Sequence, residues 1–165
     1  MTATDGRKVI HIHEPGGGRL IQLGAGGTVR IKVEGADSQR ALLMYEFTMP
    51  PRTAGPPVHM HAHWDEAFYV LDGEVTFLID GQEHIVPTGG CTFVAGAVPH
   101  TFWNASDRPA TNLTVLTPSG LEEYFDAVSD ALATGESMDA IHALMSTHGI
   151  ETPSDDRPAY GSLPD

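Results

Sequence analysis

From Lys8 to Thr117 apolar and polar residues alternate in short runs broken by glycine and proline. Runs over 9–12, 19–23 and 29–33 are rich in β-formers and are separated by glycine clusters at 16–18 and 24–27. A longer apolar run, 41–48, closes at Pro50-Pro51, and Gly55-Pro56-Pro57 bends the chain into a further run at 58–63. Runs 66–71 and 74–79 flank Asp72-Gly73, and Asp80-Gly81 follows; each pair is a two-residue hairpin signal. Short runs at 83–86, 91–95, 101–103 and 112–117 complete the set. About ten strands at this spacing predict an all-β sandwich or barrel.

The periodicity changes after Pro118. Ser119-Gly120-Leu121-Glu122 has the form of a capping box, a hydroxyl followed three residues later by a carboxylate. Leu121, Tyr124, Phe125, Val128, Ala131 and Leu132 then recur at helical spacing, with Gly135 as the stop. A second short helix is predicted from Ser137 to near Gly149, with Met138, Ile141, Leu144 and Met145 on one face. The chain thus divides into a β-barrel over 1–118, a helical segment over 119–150 that packs on the barrel or on a second subunit, and a polar tail over 151–165.

Composition narrows the function. The chain has 165 residues, about one domain's worth, and 41% of them are hydrophobic, enough for a single core. Nine basic residues face 22 acidic ones, a formal net charge of −13. Such a surface repels phosphate backbones and anionic lipid, so neither nucleic acid nor a membrane is an expected partner. The single cysteine, Cys91, excludes an internal disulfide framework and a thiolate-rich zinc site. Its apolar neighbours predict a buried structural thiol. The first residues lack the apolar stretch of a secretory signal, and no run approaches the roughly 18 apolar residues of a membrane span. A cytoplasmic location is expected.

The segment His59-Met60-His61-Ala62-His63-Trp64-Asp65-Glu66 carries the candidate chemistry. A strand sends alternate side chains to one face, so His59 and His61 point the same way, with His63 joining them if the strand continues. A turn before Glu66 brings its carboxylate back toward them, and His100 lies on a later strand. Imidazole nitrogen and carboxylate oxygen together suit first-row divalent ions. A lone histidine in a strand is more often packed or solvent-facing, and an H-x-H pair alone is not diagnostic. His11 and His13 form a second such pair without a carboxylate of matching parity, since Glu14 faces the other way. His84 is expected on the outer face, His142 and His148 share no helix face, and Trp64 and Trp103 are expected to pack.

These residues also form two longer patterns. His59-x-His61, four residues, Glu66, six residues and Gly73 follow one motif, whose opening glycine, Gly55, lies two positions closer to His59 than the pattern asks. Gly89, His100 and Asn104 follow a second, with Ala95 and Ala97 in place of its proline and glycine and Gly96 one position early. In both, the chain resembles the cupin superfamily, and within it single-barrel proteins similar to quercetin 2,3-dioxygenase. The resemblance implies a jelly-roll barrel with a short C-terminal helical extension. It implies one divalent transition metal ion (nickel, manganese, iron, cobalt or zinc) on His59, His61, Glu66 and His100. By strand alternation Phe68 and Phe102 would wall the pocket, with His63 outside the pattern as a polar group at its mouth or a solvent-facing side chain. The expected activity is a dioxygenase acting on a small aromatic or enolisable molecule such as a flavonol, with dioxygen as co-substrate and Glu66 as base. A non-redox cyclase or isomerase and a non-catalytic binding protein are the alternatives. Apolar edge strands and amphipathic helices make a homodimer the expected assembly.

Overall fold

The structure, a computed structural model, describes residues 10–153 and 161–162. The chain runs through β1 (Arg19–Gln22), a 3-10 turn (Gly24–Gly26), β2 (Thr28–Val33), the one-turn helix α1 (Gly35–Ser38), β3 (Leu43–Met49) and β4 (Thr53–Ala54). It continues with β5 (Asp65–Asp72), β6 (Glu74–Ile79), β7 (Gln82–Pro87), β8 (Cys91–Val94), β9 (His100–Asn104) and β10 (Ala110–Thr117). The helices α2 (Glu122–Thr134) and α3 (Met138–Thr147) follow. Within the segment read as a polar tail, Gly161–Ser162 forms β11 and pairs with β4.

The strands form two antiparallel sheets, in the orders β1-β2-β3-β10-β5-β8 and β11-β4-β9-β6-β7, the jelly-roll arrangement of an all-β barrel. Strand period decides what faces inward. Along β3, Leu43, Tyr45, Phe47 and Met49 are buried while the residues between them are partly exposed. β10 repeats the alternation with Ala110, Asn112, Thr114 and Leu116. Phe68, Phe77 and Phe102, from β5, β6 and β9, meet across the two sheets with ring centroids 5.2–5.9 Å apart. Phe68 of this cluster also lies 6.4 Å from the His100 ring, and burying an aromatic of this size stabilises by roughly 1.5–3 kcal/mol.

Five expectations are corrected. Residues 10–12 form no strand, and Val9 lies outside the described residues. Asp72-Gly73 is not a hairpin turn: β5 pairs with β10 and β8, whereas β6 pairs with β7 and β9, so the dipeptide carries the chain from one sheet to the other. Gly73 has φ +75°, and a Cβ there would lie 2.7 Å from the Pro109 carbonyl oxygen, so the crossover requires glycine. Asp80-Gly81 is the true hairpin, joining Ile79 to Gln82 with both φ values positive, 48° and 76°. The run 58–63 yields only isolated bridges at His59 and Met60, because the chain turns at Ala62-His63.

The capping box is also not formed. α2 starts at Glu122 behind Leu121, with no side-chain cap. Glu122 instead accepts from the backbone amides of Gly35 and Gly120, tying the helix start to α1. Ser119 Oγ is buried without a hydrogen-bond partner among the described residues. Cys91 is exposed, because β8 is an edge strand and Cys91 sits on its outer side. α2 ends at Gly135 with φ +77°, as its sequence predicts, and Ser137 caps α3 by accepting from the Ala140 amide.

Candidate metal centre

The two motif histidines and the late histidine meet through the backbone. His59 and His100 are opposed residues of an antiparallel bridge, their amides bonding each other's carbonyls at 2.9 and 2.8 Å. Gly55 supports this approach, since its amide bonds the Phe102 carbonyl and a Cβ would lie only 2.2 Å from that oxygen. Glu66, the second residue of β5, points inward between its neighbours Leu116 and Val94. The side chains of His59, His61, Glu66 and His100 are all buried, and one donor atom from each lies within 4.8 Å of all the others.

Each imidazole is held in one tautomer. Nδ1 of His59, His61 and His100 lies 2.9, 2.9 and 2.8 Å from the carbonyls of Pro57, Trp64 and Val98. A carbonyl only accepts, so each Nδ1 carries the hydrogen and each neutral ring turns a bare Nε2 toward the centre. There Glu66 Oε2 stands 3.2 Å from Nε2 of His61 and 3.0 Å from Nε2 of His100. A carboxylate oxygen against two acceptor nitrogens is stable only with a proton or a cation among them. Three imidazoles and one carboxylate, with no thiolate, fit a first-row divalent ion.

The electrostatics at His61 and Glu66 agree with that need for positive charge, while His59 stays neutral. Burial, reinforced by the nearby His100, lowers the His59 pKa to about 3. Burial also opposes a charge on His61, but the Glu66 carboxylate outweighs it and the pKa is raised. Glu66 is likewise penalised by burial, yet its contacts with His100 and His61, which donate to it when protonated, bring its pKa down to about 2. Tyr45 is raised well above its usual value by burial and by the Glu66 charge.

The loop that delivers His100 departs from the motif, and the structure supplies its substitutes. Ala97 adopts φ +62° where the motif has glycine. The Gly96 amide donates to Asp65 Oδ1 at 2.8 Å, and the Ala97 amide to the His61 carbonyl at 3.0 Å. Asn104, the last motif residue, is structural: its Nδ2 donates to the carbonyls of Met49, Pro50 and Arg108, and its Oδ1 accepts from the amide and hydroxyl of Ser106.

A cavity of about 30 Å³ adjoins His59 and Glu66. Phe102 is on its wall, whereas Phe68 lies deeper, packed against Phe77, Phe102 and His100. His63 is exposed and is not one of the four clustered donors. The remaining walls are Tyr45 and Phe47 of β3 and a group from the C-terminal segment that includes Tyr124, Phe125 and Ile150. Phe125 stacks edge-on against Tyr45 at 5.1 Å. The inward parity of β3 made Tyr45 and Phe47 findable in the sequence; nothing local placed α2 over the barrel mouth. His11 bonds Asp37 and His13 bonds the Lys32 carbonyl, away from the cluster. His84 is exposed on β7, His148 packs on Tyr124, and Trp64 stacks edge-on against His61.

Two antiparallel sheets closing over a buried His/Glu cluster define a jelly-roll protein with a candidate metal site. Residues 45–116 match the Cupin_2 family, the cupin domain, and the two sheets have the cupin jelly-roll fold. It is 28% identical over 101 residues to the HTH-type transcriptional regulator PuuR of Escherichia coli (strain K12), across 61% of this chain and 54% of that protein. The chain thus spans about half the length of the curated relatives it matches. Among solved structures, the polyketide cyclase RemF from Streptomyces resistomycificus superposes with a TM-score of 0.58 at 21% identity, over 67% of this chain and 81% of that one. A sugar phosphate isomerase of the cupin superfamily from Silicibacter pomeroyi DSS-3 gives 0.51 at 26% identity, over 58% and 61%. Among the described residues no helix is long and apolar enough to cross a membrane.

Proposed function

We propose that the protein is a metal-dependent cupin enzyme, a dioxygenase acting on a small aromatic or enolisable substrate. The observation that carries this reading is the cluster of four buried donors beside a cavity whose other walls are aromatic or aliphatic. His59, His61, Glu66 and His100 would hold the ion, which supplies Lewis acidity and, in an oxygenase, redox contact between substrate and dioxygen. The chain's own residues do the rest. Phe47, Phe102 and Phe125 exclude water and receive an apolar body. Glu66 Oε2, aligned with two imidazole nitrogens, takes the acidic proton of the substrate, leaving an oxyanion facing the cluster. The buried Tyr45 hydroxyl orients a substrate oxygen from the β3 wall.

The cavity also limits the substrate. Among the described residues its lining contains no lysine or arginine, so a phosphate ester would lack a counter-charge there. Drug-sized ligands occupy sites of roughly 300–1,000 Å³. A flavonol therefore requires the C-terminal segment to move outward, whereas smaller hydroxyketones require less. A second reading, a ligand-sensing module without turnover, draws on the likeness to PuuR.

The deciding experiment follows candidate substrates, flavonols and smaller hydroxyketones, in air and without oxygen, on protein loaded separately with each metal. Oxygen-dependent loss that disappears in His61→Ala supports the dioxygenase. Loss without oxygen indicates a cyclase or isomerase, and tight binding with no loss indicates the sensing module. Glu66→Gln should retain metal but lose turnover by more than about 100-fold; an active Glu66→Gln protein removes the base role.

A further inference from the structure

Two hollows flank the C-terminal end of α3. The inner one is the cavity of about 30 Å³ beside His59 and Glu66. The outer one, about 400 Å³, is lined by His63, Ser146, Gly149 and Glu151 among others. Ile150 is the one residue common to both walls, and only 2% of it is exposed. We infer that Ile150 is the gate of the site, and that ligands reach the four donors from the outer hollow past this side chain. The inference rests on the metal reading proposed above.

The backbone around Ile150 is pinned, so passage falls to its side chain and to a lightly held strap. The Ile150 amide donates to the Met145 carbonyl at 2.9 Å, closing the end of α3. The next residue, Glu151, exchanges two backbone hydrogen bonds of 2.8 Å with Met60, which lies between the ligands His59 and His61. This isolated bridge is what fastens residues 150–152 to the ligand-bearing segment. A branched side chain with few rotamers closes the inner cavity, and a rotamer change or release of the bridge opens it.

The two hollows differ in chemistry, and the difference selects ligands. The outer one offers an imidazole, the two hydroxyls of Ser146 and Thr152 and a carboxylate, and among the described residues no lysine or arginine. Beyond the four-donor cluster, the inner one offers apolar walls and tyrosines. The molecule that passes is narrow and not anionic, with an oxygen or nitrogen donor at its leading end.

The test uses protein loaded with Co(II), whose visible spectrum reports binding of an added donor without turnover. Imidazole and the bulkier 4-phenylimidazole serve as probes in stopped-flow mixing. In the wild type 4-phenylimidazole should bind more slowly than imidazole by at least about tenfold, and Ile150→Ala should remove most of that difference. Ile150→Val should move the ratio the same way by a smaller factor, which keeps the test available if the alanine variant folds poorly. Ile141→Ala is the control: Ile141 is buried on α3, in the same C-terminal segment, but lines a separate hollow with Leu23, Val128 and Leu132. It should leave the ratio unchanged. A ratio insensitive to Ile150, or equally sensitive to Ile141, overturns the gate while leaving the metal centre intact. No cobalt spectrum in the wild type would overturn the metal reading and the gate with it.

Discussion

Ala97 sits in the left-handed region at φ +62°, and replacing it with glycine should make the protein more stable. The left-handed conformation costs an L-residue roughly 1–2 kcal/mol. Glycine removes that cost but loses about 0.5–1 kcal/mol through the greater freedom of the unfolded chain. The side chain is exposed, so no packing is lost on truncation. The net gain should be about 0.5–1 kcal/mol, or roughly 1–4 °C in Tm for a domain of this size. Thermal unfolding of the metal-free protein is the assay, with Asp65→Ala as companion. That variant deletes the acceptor of the Gly96 amide and should lower Tm, since a hydrogen bond to a charged group contributes about 1.5–3 kcal/mol. An unchanged or lower Tm for Ala97→Gly would refute the claim that this loop holds His100 in place at the expense of backbone strain.

Two other expectations concern the same scaffold. Asn104→Ala should destabilise by about 2–3 kcal/mol, because three backbone carbonyls and the Ser106 donors lose a fully buried partner; a shift in urea midpoint of only a few tenths of a kcal/mol would contradict this. The metal-free protein should be most stable near pH 6.5, the ordinary histidine pKa. Above it, stability falls as His61, whose pKa is raised in the fold, loses its proton. Below it, stability falls toward pH 3 because His59 stays neutral in the fold while the unfolded chain takes up a proton, and Glu66 adds to the loss from about 4.5 down toward 2. Urea unfolding across pH 4–9 checks this, and a His59→Gln variant that keeps the full wild-type slope between 6.5 and 4.5 would count against it.

Much of the site was legible because its information is local. His59, His61 and Glu66 lie within eight residues, and strand period aims the first two at one face. His100 followed from a second motif, whereas the run 41–48 was read only as apolar and its inward face, Leu43, Tyr45, Phe47 and Met49, came from the structure. The helices and their glycine stops were equally local, as Gly135 shows.

What tertiary structure decided is what local signals do not distinguish. Asp72-Gly73 and Asp80-Gly81 each place a glycine at positive φ, 75° and 76°, yet one crosses between sheets and the other turns a hairpin, because that choice depends on which distant strand offers hydrogen bonds. Cys91 is exposed because β8 has no neighbour beyond it, a property of sheet order and not of the residues around the thiol. Ser119 lost its capping role because Glu122 found the Gly35 amide on a segment 87 residues away. The cavity follows the same rule: residues of β3 and of the C-terminal segment share its walls because the helices pack across the barrel mouth. Short-range geometry sets which way a side chain points, and only long-range packing sets what it meets.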